Sequence, residues 1–458
     1  MSGNKVALLM IDNMIDKVVL TSGIINPLMT STAPIGVNDP EQRFLWIRDC
    51  VFSSIDEKEV FTIEECISQM TAGFVIFLFD GVSKGISIGL QGYKFRSIEE
   101  PKVEQVLRGS REGFVEPLRI NISLLRRRIR NPNLKFIIYS LGNESKTDIC
   151  VSYIKGIAAD SVINEITRRI NSIDLNTVLA SGYIQPLIEN SPYSIFATVG
   201  TTERPDTFCA RLNEGRVGVI VDGTPQALIM PYLFVENFQN FDDYAVHTYY
   251  ATFTRILKYL AFTISFLLPA FYVAVGSFHQ SLLPTTLLYT LAQSEESTPF
   301  PLVGEALIIQ IIYEMLREAG LRLPKQFGAA ITIVGAFLIG QAAVSAGLIG
   351  APMVIIVALT ATTSLVVPSL YESGVIMRFA FIIVAGISGF LGLTLGISFV
   401  ILHMCSIKSF DVPYTSPLLP FDAFSMRDIV IRAPWLTLSR KRSKVQDLPG
   451  SDIDKNQG

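Results

Sequence analysis

"ALTATTSLVVPSLYES", Ala358 to Ser373, puts three threonines, two serines, a proline and a tyrosine ahead of its first charge, Glu372, in the most apolar part of a 458-residue chain. Hydroxyl groups in hydrocarbon cost free energy unless a neighbour hydrogen-bonds them. The stretch must therefore face other helices or water, and it sets the class of fold: a helical region that packs on itself inside a membrane.

Working outward, three runs carry no Asp, Glu, Lys or Arg: Tyr259 to Phe278, Phe327 to Tyr371 and Phe379 to Leu402. A span needs about 20 apolar residues, and the middle run holds two, joined by the tight turn "LIGAPM". Spans are predicted at about 257–278, 328–348, 352–371 and 379–404, within a membrane domain of 250–407. Between the first two, "LIIQIIYEMLREAGLRLP" reads as an amphipathic interfacial helix at about 302–322, although Arg317, Arg322 and Lys325 keep a fifth crossing open. Arg255 and Lys258 before the first span and "RKRSK" (Arg440 to Lys444) after the last predict both ends inside, with 408–458 a basic cytosolic tail. Overall, 49% of residues are hydrophobic and 17% charged, and mean hydropathy is +0.41; soluble proteins carry nearer a quarter charged.

On a continuous helix Thr360, Ser364, Val367 and Tyr371 fall within an arc of about 60°. Pro368 removes an N–H and frees the Ser364 carbonyl, allowing a bend. Around an axis of several copies, these rings would make a narrow, uncharged, gateable constriction. Equally, such hydroxyls bond back to the i−4 carbonyl or join helices of one bundle, and the residues alone leave both readings open. The small residues of "GQAAVSAG", Gly340 to Gly347, suit close helix packing of either kind.

Residues 1–255 read as ordinary globular sequence. "KVALLMID" and "GFVIFLFDG" are predicted strands, "SKGISIGLQGY" a hairpin return and "EECISQMT" a helix, giving an α+β subdomain over 1–97. A charged, Gly-rich connector spans 98–112, and a second α+β subdomain spans 113–245. There "EPLRINISLLRRRIRNP" and the Asp-capped "DSVINEITRRINSI" are helices, "LKFIIYSLG" and "TDICVSYIKG" are paired strands, and "GRVGVIVDGTPQALIMP" is a hairpin. The fold class is thus α+β cytosolic subdomains followed by an all-α polytopic membrane domain. "RRRIR", Arg126 to Arg130, suits phosphates or lipid head groups, or a solvated face pairing with carboxylates.

Chemistry is sparse. The three histidines, His247, His279 and His403, are far apart, and "DGVSKGISIG" joins two strands instead of opening a helix, so it is not a P-loop. No nucleophile-elbow, zincin or Walker pattern occurs. Five scattered cysteines lack CxxC spacing, which speaks against a disulfide framework or zinc site. The apolar run at the amino terminus is too short for a signal peptide, and a net charge of −3 implies no attraction to nucleic acid. Neither an enzyme nor a cofactor is expected.

The chain resembles the A subunits of the GerA-type spore germinant receptors. The likeness is carried by "GSREGFVEPLRINISLLRRRIRNPNLKF", "ESKTD", "GYIQPLIENSPYS", "TTERPD", "EGRVGVIVDGTPQALIMP", "PFPLVGEALIIQIIYEMLREAGLRLP", "IGQAAVSAGLIG" and "CSIKSFDVPY", in order over about 109–415. The resemblance implies an integral protein of the spore inner membrane with cytosolic amino-terminal domains. Implied partners are a transporter-like, nutrient-binding B subunit, a lipoprotein C subunit, membrane lipid and further copies of this chain, five in all by the family pattern. Together they would form a nutrient-gated cation channel, with Thr360, Ser364, Val367 and Tyr371 lining the pore and Pro368 the gating kink. Arg126, Arg127 and Arg128, with Glu203, Arg204 and Asp206 of the "TERPD" loop, would make subunit contacts. The front end is short against the family pattern, which implies a truncated or reduced first subdomain. A non-conducting scaffold that relays a signal, a carrier, and a SpoVAF-type germination amplifier are the alternatives.

Overall fold

The computed structural model describes residues 5–12, 14–31, 39–52, 57–90, 100–101, 104–106, 108–296, 298–323, 340–438 and 444–453. The first subdomain is an antiparallel sheet of β1 (Val6–Leu9), β2 (Glu57–Val60), β3 (Phe74–Phe79) and β4 (Gly85–Gly89), ordered β1-β3-β4-β2. Its register sets Val75 opposite Ile88 and Phe77 opposite Ile86. One face buries Phe77 against Phe44 and Phe52, the latter edge-on at 5.0 Å. Helix α1 (Ile63–Thr71) starts on a capping box in which Thr62 and Glu65 each accept from the other's backbone. Beyond the predicted elements, "EKEV" is β2, an edge strand whose charges mask its alternation, and residues 17–30 and 40–51 form short helices with π-helical turns.

The second subdomain is a three-layer sandwich. Its antiparallel sheet runs β5-β6-β8-β9-β7, from β5 (Leu134–Leu141), β6 (Thr147–Ile154), β7 (Gly200–Thr202), β8 (Val217–Val221) and β9 (Ala227–Met230). Strand alternation explains the layers. Ile149, Val151, Val219 and Val221 point to one face, and Cys150, Ile220 and Ile229 to the other. On the second face lie α2 (Leu118–Arg128), through Ile122 and Leu125, and α5 (Pro205–Asn213), through Phe208 and Leu212. The first is covered by α3 (Asp160–Asn171), whose Val162, Ile163, Ile166 and Ile170 form one stripe, and by α4 (Ser181–Ile188). Asp160 is not the cap of α3: Ala159 takes that position, and no side chain caps the helix.

The described residues of 408–453 pack against the second subdomain instead of extending as a basic tail. After a short hairpin, β10 (Lys408–Ser409) and β11 (Val412–Pro413), this segment buries Phe410, Val412, Ile429, Val445, Leu448 and Ile453 in the core beside α3. Of "RKRSK" only Lys444 is among the described residues.

The helical region is built on α6 (Thr248–Phe278), α7 (Thr285–Glu296), α8 (Leu302–Arg322), α9 (Ala351–Ser364) and α10 (Tyr371–Ser406). Among the described residues, two helices are long and apolar enough to cross a membrane: α6, and α10 with the 3-10 turn before it. At 1.5 Å per residue α6 is about 46 Å long and α9 about 21 Å, so α9 falls short of a hydrocarbon core of about 30 Å. The span expected at 352–371 is broken after Ser364, and Tyr371 opens the next helix. Pro368 is the cause: it disfavours helical torsions in the residue before it, and Val367 sits at φ −128°, ψ 79°. The span predicted at 379–404 in turn starts earlier, taking in Glu372 and Arg378. Most of the span predicted at 328–348 lies outside the described residues.

Helix α8 has the expected bounds but is turned inward. Glu305 and Gln310 are buried, whereas Ile311, Met315 and Leu321 are exposed. Leu302, Ala306 and Ile309 are buried beside these polar groups, and Glu318 and Arg322 are exposed beside the apolar ones. Long exposed apolar rows on α10, including Ile383, Ile387, Leu391 and Leu395, give the region an apolar surface unusual for a water-soluble bundle. The same helix kinks at Gly389, at φ +57°, where a Cβ would stand 3.0 Å from both Phe278 and His279. Both regions share a core through Phe196, Phe238, Ile407 and Tyr414, and Ser194 Oγ lies 3.1 Å from His403 Nε2.

Candidate functional site at the helix break

The broken segment between α9 and α10 gathers the polar groups of four helices. Thr360, Ser364, Val367 and Tyr371 are all buried in the single chain. Thr360 Oγ1 donates to Ile356 O at 2.7 Å and Ser364 Oγ to Ala361 O at 2.7 Å, the back-bonding that satisfies a hydroxyl within its own helix. Ser364, Val367 and Tyr371 share a small recess with Phe262 and Ser265 of α6 and Leu370 and Gly374 of the break and α10. Three of the four stripe residues are thus brought together across a break, while Thr360, a turn before Ser364 on α9, does not line the recess.

Beside the recess lies an ion pair absent from the expected set. Arg378 is fully buried. Its Nε donates to Ser265 O at 2.7 Å, and Nη1 reaches Gln310 Oε1 and Glu314 Oε1, each at 3.2 Å. Glu314 Oε2 accepts from the Tyr371 phenol at 2.7 Å, and the Arg317 guanidinium stands 3.4 Å from the Tyr371 ring centre. Two residues of α8 therefore clamp the start of α10. A charge-assisted bond in a site closed to water is stronger than at a surface.

A second polar cluster joins α6 to the segments that pack on the second subdomain. Arg255 Nε donates to Asp243 Oδ2 at 2.9 Å, and its Nη1 to Asp428 Oδ1 at 2.8 Å and to Asp428 O at 2.7 Å. Lys258 Nζ pairs with Asp243 Oδ1 at 3.0 Å. Arg255 and Lys258, the cations before the first predicted span, are buried and paired with carboxylates of the same chain. Deeper in, Arg216 pairs with Glu214 and Glu236, and Arg211 with Glu214 at 3.0 Å. Burial pushes the Glu236 carboxyl up, against the pull of Arg216 and Arg211.

The expected subunit-contact residues are engaged inside the chain. Arg126 lies 4.8 Å over the Phe136 ring. Arg127 and Arg128 both pair with Glu112 of the connector, Arg128 at 2.6 Å. Arg204 pairs with Asp206, donates to Ser110 O at 3.0 Å and covers Phe241, while the Glu203 amide donates to Glu104 Oε2 at 3.0 Å. Burial raises the Glu104 carboxyl, opposed by the Thr202 hydroxyl, the Glu203 amide and Arg204. Arg127, Arg128, Glu203 and Arg204 thus fasten the connector to the second subdomain, while Arg126 packs on β5 and Asp206 holds Arg204.

Comparison with known families places this architecture. Residues 1–444 match the family described as Bacillus/Clostridium GerA spore germination protein. The chain belongs to the GerA family. Among its GerA relatives, Spore germination protein KA of Bacillus subtilis (strain 168) is 46% identical over 374 residues, 81% of this chain and 69% of that one. Spore germination protein B1 of the same organism is 37% identical over 448 residues, 97% of this chain and 91% of that one. An uncharacterised membrane protein, YfkQ, also from that strain, is 42% identical over 385 residues, 83% of this chain and 75% of that one. The crystal structure of the N-terminal domain of the A subunit of the Bacillus megaterium spore germinant receptor GerK3 is 29% identical, with a TM-score of 0.39, covering 50% of this chain and 84% of that one.

In this GerA chain the residues that sequence reasoning missed are Ser265, Gln310, Glu314 and Arg378. A signal for Arg378 was available: it is the lone cation in "GVIMRFAFII", and an ionisable residue amid a span marks a functional site. Starting the predicted span at 379 set it outside.

Proposed function

We propose that this chain is the A subunit of a nutrient-responsive spore germination receptor, an integral protein of the spore inner membrane whose α+β subdomains lie in the cytosol. The subunit assembles with further copies of itself, five in this reading, into a ligand-gated cation channel, alongside a transporter-like B subunit that holds the nutrient and a lipoprotein C subunit. The reading uses no nucleic acid, cofactor or catalytic step. The observation that carries it is the set of buried polar groups around the break, within helices that expose long apolar rows. Thr360, Ser364, Val367 and Tyr371 face inward at a discontinuity beside an ion pair, inside an apolar exterior. In this reading the single-chain packing is the closed form, the four residues line the pore once the segment around Pro368 rearranges, and the recess is where opening starts. Arg126, Arg127, Arg128, Glu203, Arg204 and Asp206 make subunit contacts in this reading, and Arg127, Arg128, Glu203 and Arg204 also hold the connector.

Single cysteines across 352–371, in a background without the five native cysteines, test the assignment with a small water-soluble thiol reagent. Labelling in germinant-activated membranes that peaks at 360, 364, 367 and 371 is expected; uniform protection with and without germinant overturns the pore. One observation favours a second reading: back-bonding and burial of the stripe within one chain also suit a non-conducting scaffold that relays a signal, or a germination amplifier of the SpoVAF type. Unitary current from the purified, reconstituted protein separates the channel from both.

A further inference from the structure

The torsions at Gly389, φ +57° and ψ −136°, reverse the direction of α10. A Cβ on Gly392 would stand 2.8 Å from the Val384 carbonyl oxygen, and one on Gly396 2.8 Å from the Phe381 ring. On a continuous helix those pairs would lie roughly 12 and 22 Å apart along the axis. The helix therefore doubles back into a hairpin with arms 371–388 and 390–406. At about 27 and 26 Å, each arm approaches a hydrocarbon thickness of about 30 Å.

The open ends of this hairpin meet at one loop of the second subdomain. Ser373 Oγ donates to Ile195 O, and His403 Nε2 lies 3.1 Å from Ser194 Oγ, with the His403 ring 6.3 Å from that of Phe196. Ser373 and His403 would be about 45 Å apart on a continuous helix, yet they touch adjacent residues of the loop. The loop itself is fixed. Phe196 is fully buried, its ring 6.0 Å from that of Tyr414 and 6.4 Å from that of Phe234, and the Ser194 hydroxyl accepts from the Phe196 amide at 3.1 Å. The second arm is held less evenly. Its buried residues, Gly392 and Leu393, lie within four positions of the turn, whereas Leu395, Phe399 and Leu402 are exposed and Val400 and Met404 only partly buried.

We propose that residues 194–196 form a clasp through which the second subdomain sets the mouth of the hairpin, and with it the start of α10. Ser373 is two residues beyond Tyr371, which opens α10 after the break and donates to Glu314. A shift of the loop thus acts on the turn that the break delivers, without passing through the interior of the helical region. Coupling of this kind requires an element with two arrangements. The mouth meets that requirement because two hydrogen bonds and one ring contact close it, whereas the tip is packed: a Cβ on Gly389 would stand 3.0 Å from both Phe278 and His279. Closed and open forms differ at the mouth and agree at the tip. The clasp is a property of the folded chain and stands whether or not the chain conducts.

Pulsed electron spin resonance on the full-length chain in lipid nanodiscs tests the clasp, with pairs of spin labels on cysteines introduced into a background without the five native ones. Labels at Ile376 and Leu402 report the mouth, and labels at Ile383 and Leu395 the tip; all four positions are exposed. With the clasp intact, the mouth pair is expected at a single distance well below the roughly 39 Å of a continuous helix. Removing both hydroxyls, Ser194→Ala with Ser373→Ala, is expected to add a second, longer mouth distance and to leave the tip unchanged. If that double variant does not fold, Ser373→Ala alone replaces it, with the same expectation. A mouth pair near 39 Å, a mouth distance unmoved by the substitutions, or equal broadening at mouth and tip overturns the clasp. No current is measured, so failure here leaves the channel reading untouched.

Discussion

The Tyr371 phenol donates to Glu314 at 2.7 Å, which ties the first residue of α10 to the middle of α8 immediately beyond the break at Pro368. Arg378, two turns further on, holds the other oxygen of the same carboxylate at 3.2 Å. One side chain of α8 thus governs how α10 leaves the break.

Glu314→Gln leaves the Arg378 guanidinium buried without its counter-charge, and removing one partner of a buried pair costs about 3–5 kcal/mol. Tyr371→Phe removes one hydrogen bond, worth about 1 kcal/mol. Chemical unfolding of the full chain in detergent is expected to rank them in that order. A Glu314→Gln loss no larger than that of Tyr371→Phe would show that the ion pair does not hold the helices.

At the foot of α6, Asp243 pairs with both Arg255 and Lys258. Asp243→Asn is therefore expected to destabilise by about 3 kcal/mol or more and to loosen residues 408–453, which Arg255 grips through Asp428. Limited proteolysis should cut this segment faster in the variant. Unchanged cleavage would mean that the apolar contacts of Phe410, Val412 and Ile429 hold it alone.

Acid should weaken the second subdomain through Glu165. Hydrogen bonds from Arg168 and Arg169, with their charges, outweigh burial and lower its carboxyl from 4.5 to about 2. Because the folded value is the depressed one, the contribution is complete above pH 4.5 and is lost as the pH falls through 2. Glu165→Gln is expected to flatten the stability profile between those limits while changing its shape little above pH 6. An unchanged acid limb would count against the bonded arrangement.

Thiol labelling should separate the cysteines by burial. Cys50 and Cys405 are exposed, whereas burial pushes Cys150 and Cys209 up to about 12, so almost none of their thiolate, the reactive form, exists at pH 8. Mass spectrometry is expected to find rapid modification of the first two and none of the last two until unfolding. Early labelling of Cys150 would contradict the two-faced packing of β6.

Much of this was readable from the residues because it depends on near neighbours. The alternation of "TDICVSYI" and the turn in "VDGTPQ" specify β6 and the β8–β9 hairpin, and the charge-free run before Phe278 specifies α6. Family blocks placed the chain as a whole. The polar stripe was also visible, but its continuity was assumed; the torsions imposed on Val367 by Pro368 split it.

What lay beyond the sequence is what meets each face. Periodicity marks α8 as two-sided without saying that Glu305, Gln310 and Glu314 turn inward, since that depends on whether the surroundings are lipid or water. Nor do local patterns show that Glu314 pairs with Arg378 across 64 positions, or Asp428 with Arg255 across 173. Such pairings arise where packing brings distant segments together and excludes water, so that each buried charge must find its partner in space, wherever along the chain that partner lies.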